Sequence, residues 1–113
     1  MAVPHAKPGE IVDLKPLGPK LRDAKTTAIV KTRSFEAARL VIRAGANIAP
    51  HQVAGLITLH CIEGRARLEL PDSSFELAAG DWAYIEGGVR HAVHGIEDSS
   101  LLLTISLTAK APR

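Results

Sequence analysis

Along most of the chain, apolar and polar residues alternate with a period of two. Arg65–Leu70 does so cleanly, with Ala66, Leu68 and Leu70 on one side and Arg65, Arg67 and Glu69 on the other. That is the pattern of a strand with one buried face. The turn signal Pro71-Asp72-Ser73-Ser74 follows, after which Phe75 and Leu77 resume the apolar face. Glu36–Arg43 sets Ala38, Leu40 and Ile42 against Arg39 and Arg43, and Leu101–Thr108 sets Leu101, Leu103, Ile105 and Leu107 on one side. Thr27–Thr32 is β-branched, and Trp82–Ile85 and Ala92–Val93 are shorter candidates. Phe35–Leu40 would start a helix on propensity, but Val41-Ile42-Arg43-Ala44-Gly45 favours a strand. No window of about a dozen residues carries a helical period. Roughly eight strands at about ten-residue spacing, each bounded by Gly, Pro, Asp or Ser, predict an all-β sandwich or barrel.

Residues 1–25 break this rhythm. Pro4, Pro8, Pro16 and Pro19, with Gly9 and Gly18, predict an N-terminal arm or edge strand rather than a regular element. Residues 26–113 form the β-barrel domain. With 113 residues, 46% apolar and 23% charged, the chain can build one globular core, which excludes wholesale disorder, a collagen-like repeat and a coiled coil. No run approaches the ~18–20 uninterrupted apolar residues of a membrane span, so no membrane partner is expected. Basic residues are concentrated early (Lys7, Lys15, Lys20, Arg22, Lys25, Lys31 and Arg33), yet aromatics make up 4% and the net charge is +2. Without a stacking platform this is a solvated arm, and no nucleic-acid partner is expected. Cys61 is the single cysteine, so there is no intrachain disulfide and no CxxC site. Met1–His5 lacks a basic segment followed by an apolar one, and a cytoplasmic location is the expectation.

Histidines are the reactive feature. His5 lies in the arm and reads as a solvated bystander, leaving His51, His60, His91 and His94. His51 follows Pro50 after the Gly45 turn, and His91 follows Gly87-Gly88-Val89-Arg90. Both are expected at strand entrances, where a barrel mouth could bring them together. Imidazole is the commonest protein ligand for transition metals, and a site needs three or four such donors. A lone strand histidine is otherwise a hydrogen-bonded residue of the fold.

Two stretches resemble the sequence motifs of the cupins, and of small single-domain RmlC-like members in particular. The first is Gly45-Ala46-Asn47-Ile48-Ala49-Pro50-His51, running on to Ile62-Glu63-Gly64; the second is Gly80-Asp81-Trp82-Ala83-Tyr84-Ile85-Glu86-Gly87-Gly88-Val89-Arg90-His91. The likeness covers Gly45 to about Gly95 by motif and Thr26 to Leu107 by strand pattern. It implies a double-stranded β-helix jelly roll, a homodimer whose N-terminal arm reaches across to the partner, and a small-molecule ligand in the barrel. It also implies His51 as the first metal ligand and His91 as the last. The family's second histidine falls at Val53 and its glutamate at Ile57, beside Leu56, and none of these binds a metal. Glu86 stands for the usual proline and Gly95 for the usual asparagine.

Two registers for the strand after Gly55 are open. A bulge at Gly55 would turn Thr58 and His60 into the lumen, where His51, His60 and His91 would hold a divalent ion (Zn, Fe, Mn or Ni). Strict alternation instead puts Ile57, Leu59 and Cys61 inside and His60 outside. Cys61 is then either a soft ligand or core, and His94, of opposite parity to His91, faces away unless Gly95 bends the chain. Trp82 and Tyr84 share a face, as core packing or as a pocket wall; Glu86 is a solvated loop residue or a general acid or base near His91.

Three functions follow. The first is a metal-dependent enzyme of dioxygenase, isomerase or decarboxylase type. The second is a metal-free protein that binds or senses a small molecule. The third is a sugar epimerase like those among the cupins, which needs a tyrosine acid with a partner, and Tyr84 has none in the sequence. No catalytic residue is assigned.

Overall fold

The computed structural model describes residues 5–51 and 53–107, with 49–51 described through their backbone. The β-branched run becomes Thr27–Lys31 (β1), and the stretch with a helical start becomes Phe35–Ile42 (β2). Leu40 and Ile42 bury against the core there, and that burial outweighs local propensity. Asn47–His51 (β3), Ile57–Glu63 (β4), Arg65–Glu69 (β5), Ser74–Ala78 (β6), Trp82–Ile85 (β7), His91–Gly95 (β8) and Ser99–Ser106 (β9) complete the series. Two antiparallel sheets result, one ordered β1-β2-β9-β4-β7 and the other β3-β8-β5-β6. Their inner faces meet in a single core, to which the first sheet contributes Leu40, Leu59 and Leu101 and the second Ala66, Leu68 and Val93.

The last strand starts two residues earlier than its apolar pattern announces. Ser99 and Ser100 are completely buried. Serine reads locally as a turn residue, but both hydroxyls are spoken for here. Ser99 Oγ accepts from the Arg65 N–H at 2.8 Å and shares its single hydrogen between the Arg65 and Glu97 carbonyls, and Ser100 Oγ donates to Glu63 Oε2 at 2.6 Å. Thr108, at the far end of the expected strand, lies outside the described residues.

Gly55 has a different task from hosting a bulge. A Cβ there would stand 2.0 Å from the Ser106 carbonyl oxygen, so glycine is required by the close approach of β9. The irregularity of β4 lies at its other end. Cys61 faces Leu101 and Glu63 faces Ser100, leaving Ile62 as the extra residue of a bulge. That one-residue shift puts Glu63 on the side of Ser100 and Arg39.

The arm docks there, on the chain's own sheet. It is less irregular than expected, because Gly18–Asp23 winds into a 3₁₀ helix with Pro19 in its first turn and Leu21 buried beneath it. Proline's fixed φ suits that position. The Leu17 and Gly18 N–H groups donate to the Glu63 carboxylate at 2.9 and 3.1 Å. Arg39, 8% exposed, lies 3.8 Å from the same carboxylate and donates to the Asp13 and Lys15 carbonyls. Arg43 donates to the Leu21 and Ala24 carbonyls at 2.9 and 2.7 Å. Among the described residues no buried side-chain nitrogen or oxygen lacks a partner, and no helix is long and apolar enough to cross a membrane.

Burial alone would raise the Glu63 pKa, but the Ser100 hydroxyl, the two arm N–H groups and Arg39 outweigh it and hold the carboxyl below its usual range. In the unfolded chain it titrates at about 4.3, the typical glutamate value. Ionised Glu63 therefore stabilises the fold above that value, and the contribution is lost as the pH falls through the lower, folded value. Glu63→Gln should cost about 1–2 kcal/mol at pH 7, read from urea midpoints. The gap from wild type should narrow as the pH falls below the ordinary glutamate value and through the lower, folded one. A gap of constant size across that range would show that the carboxylate charge does not hold the arm.

Candidate functional site

Between the sheets lies a cavity of about 110 Å³, walled by Leu40, Ile48, Ile57, Leu59, Val93 and Leu103, with His91 as the polar side chain among them. Alternation produces this lining, because Ile57 and Leu59 of β4 and His91 and Val93 of β8 occupy inward positions. His91 is 4% exposed. Its Nδ1 lies 3.0 Å from the Val89 carbonyl oxygen. A carbonyl can only accept, so Nδ1 carries the proton and the tautomer is set. The turn before β8 is tied to the chain after β3 by the Gly88 N–H, which donates to the Val53 carbonyl at 2.8 Å.

His91 also borders a second, more open hollow of about 190 Å³, together with Glu69, Leu70, Pro71, Arg90 and Ala92. Glu69 is engaged by Arg67 Nε at 3.3 Å. Arg90 is exposed and belongs to none of the ion pairs among the described residues, which join Arg39 to Glu63, Arg65 to Glu76 and Arg67 to Glu69. His91 thus stands where an apolar lumen meets a polar mouth.

The expected site residues are only partly gathered here. His91 opens β8, at the strand entrance expected for it. His51 instead closes β3, because the strand already begins at Asn47 and runs through Pro50. Proline is tolerated there because β3 is an edge strand. The antiparallel register then pairs His51 with His91; the His51 side chain lies outside what is described. His60 is elsewhere. β4 pairs regularly with β7 and β9 from Ile57 to Cys61, so there is no bulge to turn Thr58 and His60 inward. The structure takes the unbulged register, and His60 stands on the outer face opposite Trp82 and Leu102, separated from His91 by the thickness of the sheet.

The remaining candidates resolve in the same way. Val53 and Ile57 pack with the core, Cys61 is fully buried, and the His94 ring is hydrogen-bonded to the Asn47 side-chain oxygen. Glu86 is exposed, in the turn after β7. Trp82 and Tyr84 are neither core nor pocket wall: they are 58% and 57% exposed, with ring centroids 5.8 Å apart. On β7 it is Ala83 and Ile85 that face the core, so parity overrides the usual preference of aromatics for the interior. Among the described residues no three His, Cys, Asp or Glu side chains converge on a point. Of the three histidines His51, His60 and His91, the structure places His60 on the face of β4 turned away from the lumen that His91 lines.

No known family's sequence model matches the chain, and no curated protein does. Solved structures match it throughout. A cupin superfamily protein from Desulfitobacterium hafniense superposes with a TM-score of 0.75 at 14% identity, over 91% of this chain and 100% of that one. An RmlC-like cupin from Shewanella frigidimarina gives 0.71 at 18% identity, over 96% and 95%. A conserved protein of unknown function from Streptococcus pyogenes gives 0.74 at 15% identity, over 98% and 97%. The chain has the cupin fold.

Within that cupin fold, Arg90 and Glu69 line the hollow beside His91, although no local sequence signal marks either as a site residue. That they line one hollow depends on the register Glu69 to Ala92 across the β5–β8 pair, which no local pattern announces. Cys61 is no part of the cupin lumen's chemistry. Burial pushes its thiol pKa up, outweighing the Glu63 backbone contact that pulls it down. A buried, protonated thiol is a poor nucleophile, so native protein should react with an aromatic disulfide reagent at least about a hundredfold more slowly than urea-unfolded protein. Rapid labelling of the native state would mean that β4 opens locally.

Proposed function

We propose that this protein is a small-molecule-binding cupin-fold module that works without a catalytic metal. The observation that carries the reading is the lumen itself, a cavity of about 110 Å³ whose walls, among the described residues, are aliphatic apart from His91. Such a surface gains free energy from apolar contact, at roughly 25 cal/mol per Å² removed from water, and His91 offers one polar group to fix orientation. A metal in the same place would have to shed its hydration among hydrocarbon side chains. The ligand positions implied by the motif resemblance supply Val53 and Ile57 there, and His60 belongs to the other face of the sheet. Solved neighbours include a protein of unknown function, so the fold itself selects no activity.

3-Methylbutan-1-ol tests the lumen as an uncharged probe of suitable size. Saturable binding in the millimolar range, seen as a rise in Tm and as shifts in the methyl resonances of Leu59 and Leu103, is the expected result. Leu103→Phe, which adds volume at the wall, should abolish it. No saturable response in wild type would overturn the reading. So would one equivalent of Zn, Fe, Mn or Ni retained through gel filtration and lost in His91→Ala; that outcome returns the protein to metal-dependent catalysis.

A further inference from the structure

The lumen and the mouth differ in chemistry and share His91. Inside, the walls are Leu, Ile and Val, and the volume is about 110 Å³. A water molecule takes about 30 Å³ of liquid, and a cavity of about 150 Å³ accepts benzene, so the lumen has room for roughly four or five carbon atoms. Outside, the hollow of about 190 Å³ carries two charged side chains, Glu69 and Arg90. The Glu69 charge is answered by Arg67, with Nε and Oε2 at 3.3 Å. Arg90 has no carboxylate partner among the described residues. The mouth therefore holds one uncompensated guanidinium, the side chain best suited to grip a carboxylate with two parallel hydrogen bonds.

Chain geometry puts these features next to one another. Arg90 immediately precedes His91, the first residue of β8, and both line the mouth. His91 faces the lumen as well. A molecule whose hydrocarbon end fills the lumen and whose other end leaves past His91 carries that end beside Arg90. A charge at the inner end would be buried among aliphatic walls and strongly disfavoured. An uncharged outer end would leave the arginine solvated but unused.

We infer that the ligand is a short-chain aliphatic monocarboxylate, bound with its hydrocarbon tail in the lumen and its carboxylate at Arg90. This rests on the reading of the lumen as a ligand cavity and adds the head group, the tail length and the residue that selects the charge.

Isothermal titration with 3-methylbutanoate, its alcohol analogue 3-methylbutan-1-ol, and acetate separates the two ideas. The carboxylate should bind wild type at least about tenfold more tightly than the alcohol. Acetate, which lacks the tail, should bind at least about tenfold more weakly than 3-methylbutanoate. Arg90→Gln changes an exposed side chain and leaves the lumen intact. It should erase the preference for the carboxylate while alcohol binding stays unchanged, and Arg90→Lys should retain part of that preference. Equal affinity for acid and alcohol in wild type, or a preference untouched by Arg90→Gln, would overturn the head-group assignment and leave the lumen reading standing. If neither compound binds, both fall together.

Discussion

β9 runs between β2 and β4, and its register against both strands fixes what is inside the barrel and what is outside. Leu101 faces Leu40 on one side and Cys61 on the other, and Leu103 faces Ala38 and Leu59. These residues are the shared apolar layer of the larger sheet. Side chains repeat every second residue, so a slip of one position would exchange the whole layer for its opposite. Leu102, Thr104, Thr58 and His60 would turn inward, and hydroxyls and an imidazole would lose water without gaining partners. His60 is therefore kept from the lumen by the central strand's pairing, and moving it inward would require repairing a pattern that several other residues already satisfy.

The one permitted exception is local and has a use. The bulge at Ile62 shifts parity for the last residue of β4 and puts Glu63 against Ser100 and Arg39. A buried arginine–glutamate pair is not in itself a large net source of stability, since desolvation offsets most of the attraction. Its effect is directional. With Glu63 accepting from Leu17 and Gly18, and Arg39 donating to Asp13 and Lys15, the proline-rich arm has one position in which all the charges are answered. The described part of the arm lies on the outer side of the sheet, away from the lumen, so its anchoring and the lumen's contents are governed by opposite faces of the same strands.

Strand identity was legible because the alternation in β2, β5 and β9 is strong and each run ends at a residue that breaks pairing. Local patterns failed where a distant partner sets the outcome. Ser99 and Ser100 look like turn residues until Arg65 and Glu63 are known to receive their hydroxyls. Gly55 looks like a bulge site until the Ser106 carbonyl is found against it. Trp82 and Tyr84 look like core until Ala83 and Ile85 take the inward positions. The site was half legible for the same reason. His91 could be placed by its turn, and the pairing of His51 with His91 follows from the two strands running antiparallel. Arg90 became visible only when β5 was set beside β8.

A lumen of about 110 Å³ left unfilled costs a protein about 2–3 kcal/mol at roughly 24 cal/mol per Å³. That is a sizeable share of the 5–15 kcal/mol or so that holds a typical domain together, and one larger side chain at Leu103 or Ile48 would close much of it. A ligand that fills the space offsets the cost, and its affinity for the folded state appears directly as added stability. Size and charge are read in different places: the aliphatic walls limit the length of a tail, while Arg90 at the rim sees only the head. Because His91 is the one described residue that lines both the lumen and the mouth, either preference can change through substitutions that leave the other intact. One barrel of this kind can therefore be retuned for a different small molecule without disturbing the strand register that builds it.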